Sequence, residues 1–172
     1  FISSMIHMIN FCRRLILIFM LFQLLISFPV KSFAQSQEAI FAGGCFWCLE
    51  HDLERLDGVI SVESGYSGGD LTNPTYKNHF GHKEVVKVSF NSDIISYKDL
   101  LRKYWFNIDP FDEKGQFCDR GNSYIPIIFT SGLNQEIKAK ESKKWASLVL
   151  KTSMKKIKVN IENAKTFWIG EG

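Results

Sequence analysis

The sequence predicts an α+β fold, a two-layer α/β sandwich of the ferredoxin-like plait type with a mixed, largely antiparallel sheet. Two observations predict it. Apolar segments typical of strands alternate with segments of helical periodicity, in the order βαββαβαβ. The second and third strands follow each other directly, as in a hairpin, and this step favours a two-layer sandwich over a doubly wound parallel sheet.

Each element has its own signal. The strand predicted at 38–42 ends at Gly43-Gly44, and an apolar stripe then predicts a helix over 45–56. Ser96 and Asp99 have the spacing of a capping box before the second helix. Pro110, Gly115 and Gly121 indicate an irregular loop over 107–122. The other strands are predicted at 59–66, 83–90, 124–130 and 156–161, the third helix at 134–150, and a final turn at 168–172.

The composition excludes one class of partner. The formal net charge is only +3, and the basic residues are spread along the chain. A nucleic-acid partner would require a concentrated basic face, so none is expected.

The N-terminal segment 1–34 has the features of a secretory signal peptide. Arg13 and Arg14 precede an apolar run at 15–28, which is shorter than the roughly 20 residues needed to cross a bilayer. Small residues at positions −3 and −1, Ser32 and Ala34, predict cleavage after Ala34, leaving a catalytic domain at 35–172. We therefore expect a periplasmic or secreted monomer without a stable membrane partner. The alternative is an uncleaved leader that anchors the chain in the membrane.

Cys45 is the first candidate for chemistry. It follows a strand and two glycines and opens a helix, and a helix N-terminus favours the thiolate, the reactive form of cysteine. Glycines also allow backbone N–H groups to face the sulfur. Three cysteines remain after cleavage, namely Cys45, Cys48 and Cys118, so at least one thiol is unpaired or takes part in exchange.

The Cys-x-x-Cys motif that Cys48 forms with Cys45 has three interpretations. A thioredoxin-like disulfide oxidoreductase would also carry it at a helix start, with Pro126 as its proline partner. A small zinc module would add His79 and His82 as ligands, although the bulky residues between the two cysteines argue against it. The third interpretation is a sulfoxide reductase.

The segment Gly44-Cys45-Phe46-Trp47-Cys48 resembles the active-site signature of the methionine sulfoxide reductase A family. Similar blocks continue in the family's order through almost all of 38–168. They are LDGV at 56–59, GYSGG at 65–69, NPTY at 73–76, GHKEVV at 81–86, DP at 109–110, QFCDRG at 116–121, Tyr124, IF at 128–129 and AKTFW at 164–168. The resemblance implies reduction of methionine S-sulfoxide, free or in proteins, within a two-layer sandwich.

The resemblance also implies catalytic roles. Cys45 would attack the electrophilic sulfur of the sulfoxide, while Glu84, kept protonated by burial, would act as the general acid for the oxygen. Tyr76 and Tyr124 match positions whose hydroxyl groups hydrogen-bond that oxygen. Without the motif, Glu84 would be interpreted as a solvated strand residue and the tyrosines as core residues.

The remaining roles concern binding and turnover. Phe46 and Trp47 would enclose the substrate methyl group, and Asp119 would hold the substrate backbone. Cys48 and Cys118 are the candidates for resolving the oxidised nucleophile, with a slight preference for Cys48. A thioredoxin-like protein is the implied reductant, and no cofactor or metal is implied.

The sequence departs from the family at the borders of the substrate loop and at its end. Ile108, Ser123 and Ile125 replace the family's usual histidine, glutamine and arginine. The usual tail, which often carries a resolving cysteine, is not found after Trp168. We therefore expect the domain to be shortened at its C-terminus.

Overall fold

The computed structural model describes Arg13–Arg14 and residues 36–171. The chain divides into two units, Phe1–Phe33 and Ala34–Gly172, and the fold below belongs to the second. The predicted signal peptide and its cleavage site lie outside the described residues, apart from the helical pair Arg13–Arg14. Among the described residues, no helix is both long enough and apolar enough to cross a membrane.

The second unit contains eight strands and three α-helices among its described residues. The helices are α1 (Phe46–Leu53), α2 (Tyr97–Phe106) and α3 (Leu133–Val149), and short 3-10 turns lie at Asn122–Tyr124 and Met154–Lys156. The strands are β1 (Ser36–Ala42), β2 (Val59–Ser67), β3 (Lys83–Asn91), β4 (Gly115–Gln116), β5 (Asp119–Arg120), β6 (Ile127–Thr130), β7 (Asn160–Asn163) and β8 (Trp168–Ile169).

Six strands form one sheet in the order β7-β6-β1-β3-β2-β8. Every neighbouring pair is antiparallel except β6 and β7, which are parallel. Strands β4 and β5 form a separate two-stranded ribbon. The predicted α+β class, with its mixed and largely antiparallel sheet, is confirmed.

The sheet packs on both faces because its strands alternate. In β3, Val86, Val88 and Phe90 join the main core with the buried residues of all three helices, whereas Val85 faces the opposite side. The second face carries a smaller cluster, which Ile125, Ala164 and Phe167 help to cover. The sandwich therefore has one helix-covered face and one face partly covered by irregular chain.

The predicted capping box is confirmed at the start of α2. The Asp99 N–H donates to Ser96 Oγ at 3.2 Å, and the Ser96 N–H donates to Asp99 Oδ2 at 3.4 Å. Helix α1 ends three residues before the predicted position 56, at Leu53. There the Leu56 N–H bonds the Leu53 carbonyl at 3.2 Å, which tightens the chain into a turn.

Several strand boundaries differ from prediction because the backbone at these positions makes other hydrogen bonds than those of the sheet. The strand predicted at 124–130 begins only at Ile127, since Asn122–Tyr124 is a 3-10 turn. The strand predicted at 156–161 is displaced to Asn160–Asn163, because the Lys158 N–H donates to the Pro110 carbonyl at 2.7 Å. The predicted irregular loop at 107–122 contains the β4–β5 ribbon.

The predicted final turn is wrong, because Trp168–Ile169 is the edge strand β8, paired with β2. A glycine permits this pairing. A Cβ added to Gly65 would lie 2.2 Å from the Trp168 carbonyl oxygen, so no larger residue allows the two backbones to approach so closely.

Candidate active site

Cys45 lies at the junction between β1 and α1, as the N-cap residue of the helix. The preceding Gly44 has a φ of +88°, a conformation that L side chains rarely adopt. A Cβ on Gly44 would also lie 2.7 Å from the Cβ of Gln116. Glycine is thus required here for two independent reasons, backbone conformation and space.

Gln116 packs beneath this junction and was not singled out from the sequence. Its fully buried amide fixes the loop before β4: Nε2 donates to the carbonyls of Asp109 (2.9 Å) and Gly115 (2.8 Å), and Oε1 accepts the Asp109 N–H at 2.7 Å. A glutamine inside a matched block gave no signal of its own that it would be buried. The contact joins the β4–β5 ribbon to the start of α1.

Glu84 lies at the beginning of β3, on the helix-covered side of the sheet, and is only 2% exposed. Its Oε2 accepts the backbone N–H of Phe46 at 3.2 Å. Phe46 follows Cys45 directly, so this hydrogen bond brings the predicted acid to the predicted nucleophile. The second oxygen, Oε1, is buried and has no hydrogen-bond partner among the described residues, which leaves it free to carry a proton.

The pKa of Glu84 is raised, chiefly because burial disfavours its charged form. The hydrogen bond from Phe46 and the nearby His79 oppose this effect, whereas the negative charge of Asp119 adds to it. The Tyr124 side chain also lowers the pKa of Glu84 slightly. The net direction agrees with the predicted role as a proton donor.

An aromatic cluster lines one side of the site. The rings of Phe46 and Trp47 have centroids 5.0 Å apart, and Trp47 stacks on Tyr76 at 5.4 Å. Beneath them, Tyr66 packs against Phe46 at 5.7 Å and stacks on His79 at 5.0 Å. Phe46 is buried, while Trp47 and Tyr76 are about half exposed. This wall offers an apolar surface that a substrate can reach from solvent.

Tyr124 lies on the 3-10 turn Asn122–Tyr124, and Asp119 lies on β5. Burial raises the pKa of Tyr124, and the negative charge of Glu84 raises it further, followed by smaller effects of Tyr76, Asp119 and Cys45. These mutual influences show that the predicted catalytic residues lie within electrostatic range of one another. Cys45, Glu84, Tyr76 and Tyr124 are therefore close enough to form a single candidate site.

The three cysteines of the described residues are all free thiols. Cys48 lies one helical turn after Cys45, and a hydrogen bond between the two side chains is the first cause of its raised pKa, followed by burial and by Asp119. Cys118 is exposed in the turn between β4 and β5, and no hydrogen bond from its side chain is found in residues 36–171. Cys48 is therefore close enough to the Cys45 side chain for that side chain to raise its pKa.

The two histidines of the zinc hypothesis support the loop instead. Buried His82 accepts the Gly69 N–H at Nδ1 (3.3 Å) and donates from Nε2 to the Leu71 carbonyl (2.8 Å), which uses both ring nitrogens. His79 donates from Nδ1 to the Thr75 carbonyl at 3.1 Å. Within residues 36–171, no group of three or more Cys, His, Asp or Glu residues has an arrangement that would hold a metal ion.

Comparison with known proteins shows the family of this chain. A family model described as peptide methionine sulfoxide reductase matches residues 37–172. The chain is 43% identical over 165 residues to peptide methionine sulfoxide reductase MsrA 2 of Caulobacter vibrioides, covering 92% of this chain and 83% of that protein. It is 47% identical over 137 residues to peptide methionine sulfoxide reductase MsrA of Ligilactobacillus salivarius, covering 77% and 79%.

A solved structure supports the same relationship. The crystal structure of Mxr1 from Saccharomyces cerevisiae in reduced form superposes with a TM-score of 0.72 at 26% identity. The match covers 80% of this chain and 81% of that chain.

Proposed function

Because the chain belongs to the peptide methionine sulfoxide reductase family, we propose that it reduces methionine S-sulfoxide with Cys45 as nucleophile and Glu84 as general acid. The chain is an oxidoreductase of the thiol-dependent type. One observation carries the assignment of the two residues. The hydrogen bond from the Phe46 N–H to Glu84 Oε2 holds a buried carboxyl group of raised pKa next to the cysteine at the start of α1.

The first step transfers one oxygen atom. The sulfur of Cys45 attacks the sulfoxide sulfur, and Glu84 gives its proton to the oxygen, whose negative charge grows as the new bond forms. The hydroxyl group then passes from the substrate sulfur to the Cys45 sulfur while the bond between the two sulfurs breaks, so the reduced substrate leaves as the thioether methionine. Cys45 is oxidised to a sulfenic acid, which carries the oxygen.

The surrounding residues each recognise a different part of the substrate. Phe46 and Trp47 offer an aromatic surface to the methyl group, a part of the sulfoxide that no hydrogen bond can recognise. Tyr76 and Tyr124 direct hydroxyl groups to the oxygen, where they stabilise the growing charge. Asp119, on β5, holds the polypeptide backbone of the substrate. These roles follow the family resemblance, and the common location of the residues supports them.

Turnover requires a second thiol. We assign this role to Cys48, which lies one helical turn after Cys45 and whose pKa is raised chiefly by the Cys45 side chain. Its sulfur would attack the sulfenic acid, form a Cys45–Cys48 disulfide and release the oxygen as water. A thioredoxin-like dithiol would then reduce the disulfide. The yeast protein Mxr1 has been crystallised in complex with Trx2, which supports a donor of this class.

We also propose that the domain is exported and acts as a monomer. The predicted leader at 1–34 would direct the chain out of the cytoplasm, so its reductant would be a thioredoxin-like domain in the same compartment. Mass spectrometry of the exported protein should find an N-terminus at Gln35. An intact leader in a membrane fraction would instead support the anchored alternative.

The activity itself is tested with separate S and R epimers of a methionine sulfoxide and dithiothreitol as reductant. We expect the chain to convert the S epimer to methionine and to leave the R epimer unchanged, and we expect Cys45→Ser to be inactive. Rapid reduction of insulin disulfides without any sulfoxide turnover would contradict the proposal in favour of a disulfide oxidoreductase.

The resolving thiol is tested by one reaction cycle without reductant, followed by digestion and disulfide mapping. A Cys45–Cys48 bond is expected. A Cys45–Cys118 bond would transfer the role to the loop cysteine. Sulfenic acid alone, with unchanged turnover in both Cys48→Ser and Cys118→Ser, would rule out internal resolution.

A further inference from the structure

The carboxylate of Glu171 contacts the loop that carries Tyr76. Both of its oxygens accept the Tyr76 backbone N–H, Oε2 at 2.9 Å and Oε1 at 3.2 Å. Oε2 also accepts a hydrogen bond from the hydroxyl of Tyr66 at 3.5 Å. A single side chain therefore joins the proposed oxygen-binding loop to strand β2, on which Tyr66 lies.

Strand β8 brings Glu171 to this position. Gly65 pairs with Ile169 and Tyr66 pairs with Trp168, and the Gly170 N–H then donates to the Ser64 carbonyl at 2.9 Å. These contacts fix the backbone up to the residue before Glu171. The carboxylate is thus held by a sheet edge rather than by a free segment.

The loop around Tyr76 has other supports besides Glu171, namely ring contacts of Tyr76 and hydrogen bonds at Thr75. A short bridge between Thr75 and Asn78 closes it, and the half-exposed Tyr76 ring stacks on Trp47. On its far side, His79 stacks on the ring of Tyr66. Glu171 consequently acts on the loop twice, directly at the Tyr76 amide and indirectly through Tyr66 and His79.

The charge of Glu171 matters to this arrangement. Tyr66 is completely buried, and after burial itself the negative charge of Glu171 is the next cause of its raised pKa. The hydroxyl of Tyr66 therefore stays protonated and continues to donate. Hydrogen bonds to a carboxylate are stronger than those between neutral groups, so the ionised carboxylate is a firm support for the loop.

We propose that Glu171 is a positioning residue of the active site, whose carboxylate fixes the backbone at Tyr76 so that the Tyr76 hydroxyl meets the sulfoxide oxygen. This role rests on the proposed function, because it concerns the same reaction. Glu171 itself touches neither Cys45 nor Glu84 by any hydrogen bond in the described residues.

The test compares Glu171→Ala and Glu171→Gln in the full chain with a matched control, Glu162→Gln. Glu162 is an exposed carboxylate on β7, in the same C-terminal region, and its side chain has no hydrogen bond to the Tyr76 loop. We measure kcat and KM for the S epimer. We expect Glu171→Ala to lower kcat about tenfold with little change in KM, because misplacement affects charge stabilisation in the transition state. Glu171→Gln keeps an acceptor oxygen, so its kcat should fall less. The control variant should keep the kcat of the wild type.

A double-mutant cycle separates positioning from mere structural support. In a Tyr76→Phe background, Glu171→Ala should lower kcat less than twofold, because the hydroxyl that it positions is gone. The same tenfold loss in both backgrounds would overturn the proposal. Amide hydrogen exchange gives a readout without substrate: exchange at Tyr76 should be faster in Glu171→Ala than in the control, and unchanged exchange would also overturn it.

A wild-type chain without reductase activity would refute the proposed function, and the positioning role with it. Faster exchange at Tyr76 would then still establish the contact, so the two failures are distinguishable. Should Glu171→Ala fold poorly, Glu171→Gln replaces it, with the thermal midpoint Tm measured for every variant.

Discussion

The proposed active site has two halves that are built differently. The half that we call buried consists of Phe46 and Glu84, which are buried, and the partly exposed Cys45; these residues lie at the start of α1 and at the beginning of β3. The exposed half comprises Trp47 on α1, Tyr76 on a loop, Asp119 on the two-residue strand β5 and Tyr124 on a 3-10 turn. All four residues are exposed or partly exposed. The two halves meet where Phe46 contacts the rings of Trp47 and Tyr76.

Their supports differ accordingly. Glu84 is fixed by sheet pairing with Tyr66 and by the adjacent helix amide, both properties of regular structure. Tyr76 depends on a carboxylate 95 residues away in sequence. A proton donor benefits from burial, because desolvation raises the pKa of Glu84 and so favours its protonated form. The residues that contact the substrate must instead be accessible, so that the substrate can enter and leave. The buried half therefore meets the requirements of proton transfer, and the exposed half those of substrate binding.

The sharpest test of the buried half is Glu84→Gln. It keeps an acceptor for the Phe46 N–H but removes the proton, so we expect the rate of methionine formation to fall about 10²–10⁴-fold. The wild-type rate should fall as pH rises through the raised pKa of Glu84, and the variant should show no such limb. Glu63→Gln, on β2 and ion-paired with Lys87, is the control and should retain full activity. An identical pH profile in wild type and Glu84→Gln would assign the proton to another group.

The junction between the halves is tested by Gly44→Ala, with Gly132→Ala as matched control. Both glycines have a φ near +90°, but only Gly44 has a side chain, Gln116, against it; nothing lies within 4 Å of a Cβ on Gly132. We expect Gly132→Ala to cost about 1 kcal/mol of unfolding free energy and Gly44→Ala about 2–4 kcal/mol, since a clash is added to the strained backbone. Only Gly44→Ala should reduce activity. Equal costs in denaturant titrations would mean that the contact with Gln116 relaxes freely.

The exposed half is expected to tolerate single changes better. Tyr76→Phe and Tyr124→Phe each remove one hydroxyl, and we expect each to lower kcat about tenfold while the other hydroxyl remains. The double variant should lose more than either single one. The measurement is kcat for the S epimer, with Tyr97→Phe as control, because Tyr97 lies in the core and its hydroxyl has no hydrogen-bond partner within residues 36–171. A double variant no worse than the single ones would show that the hydroxyls do not share the oxygen.

The same division separates what the sequence predicted from what it did not. The strands that support Glu84 and the helix start at Cys45 follow from local patterns, namely alternation, glycines and apolar periodicity, and their predicted positions are nearly correct. The capping box at Ser96 was equally local. Such signals lie within a few residues of the structure that they determine, so a single sequence reveals them.

The site residues that the sequence analysis did not predict depend on contacts between segments that are distant in sequence. Gln116 is a site residue because of the space under Gly44, and Glu171 because β8 pairs with β2. Neither has a local signature: a two-residue strand is too short for alternation, and a buried glutamine resembles an exposed one. The family resemblance supplied Tyr76, Tyr124 and Asp119, whose loops carry no periodic pattern.

The smallest expected effect concerns stability rather than rate, and it compares buried with exposed carboxyl groups. Burial raises the pKa of Glu84 above its unfolded value, so the native state binds more protons, and the free energy of unfolding falls as pH rises from the ordinary value to the raised one. Glu84→Gln removes this penalty. The exposed Glu113 affects stability in the opposite direction. The hydrogen bond that it accepts from Lys158 lowers its pKa and contributes stability that is lost as pH falls. We therefore expect Glu84→Gln to raise Tm by a few degrees near pH 8 but not near pH 4, and Glu113→Gln to lower it slightly at pH 8. A lower Tm for Glu84→Gln at pH 8 would show that the ionised carboxylate stabilises the native state through the Phe46 amide.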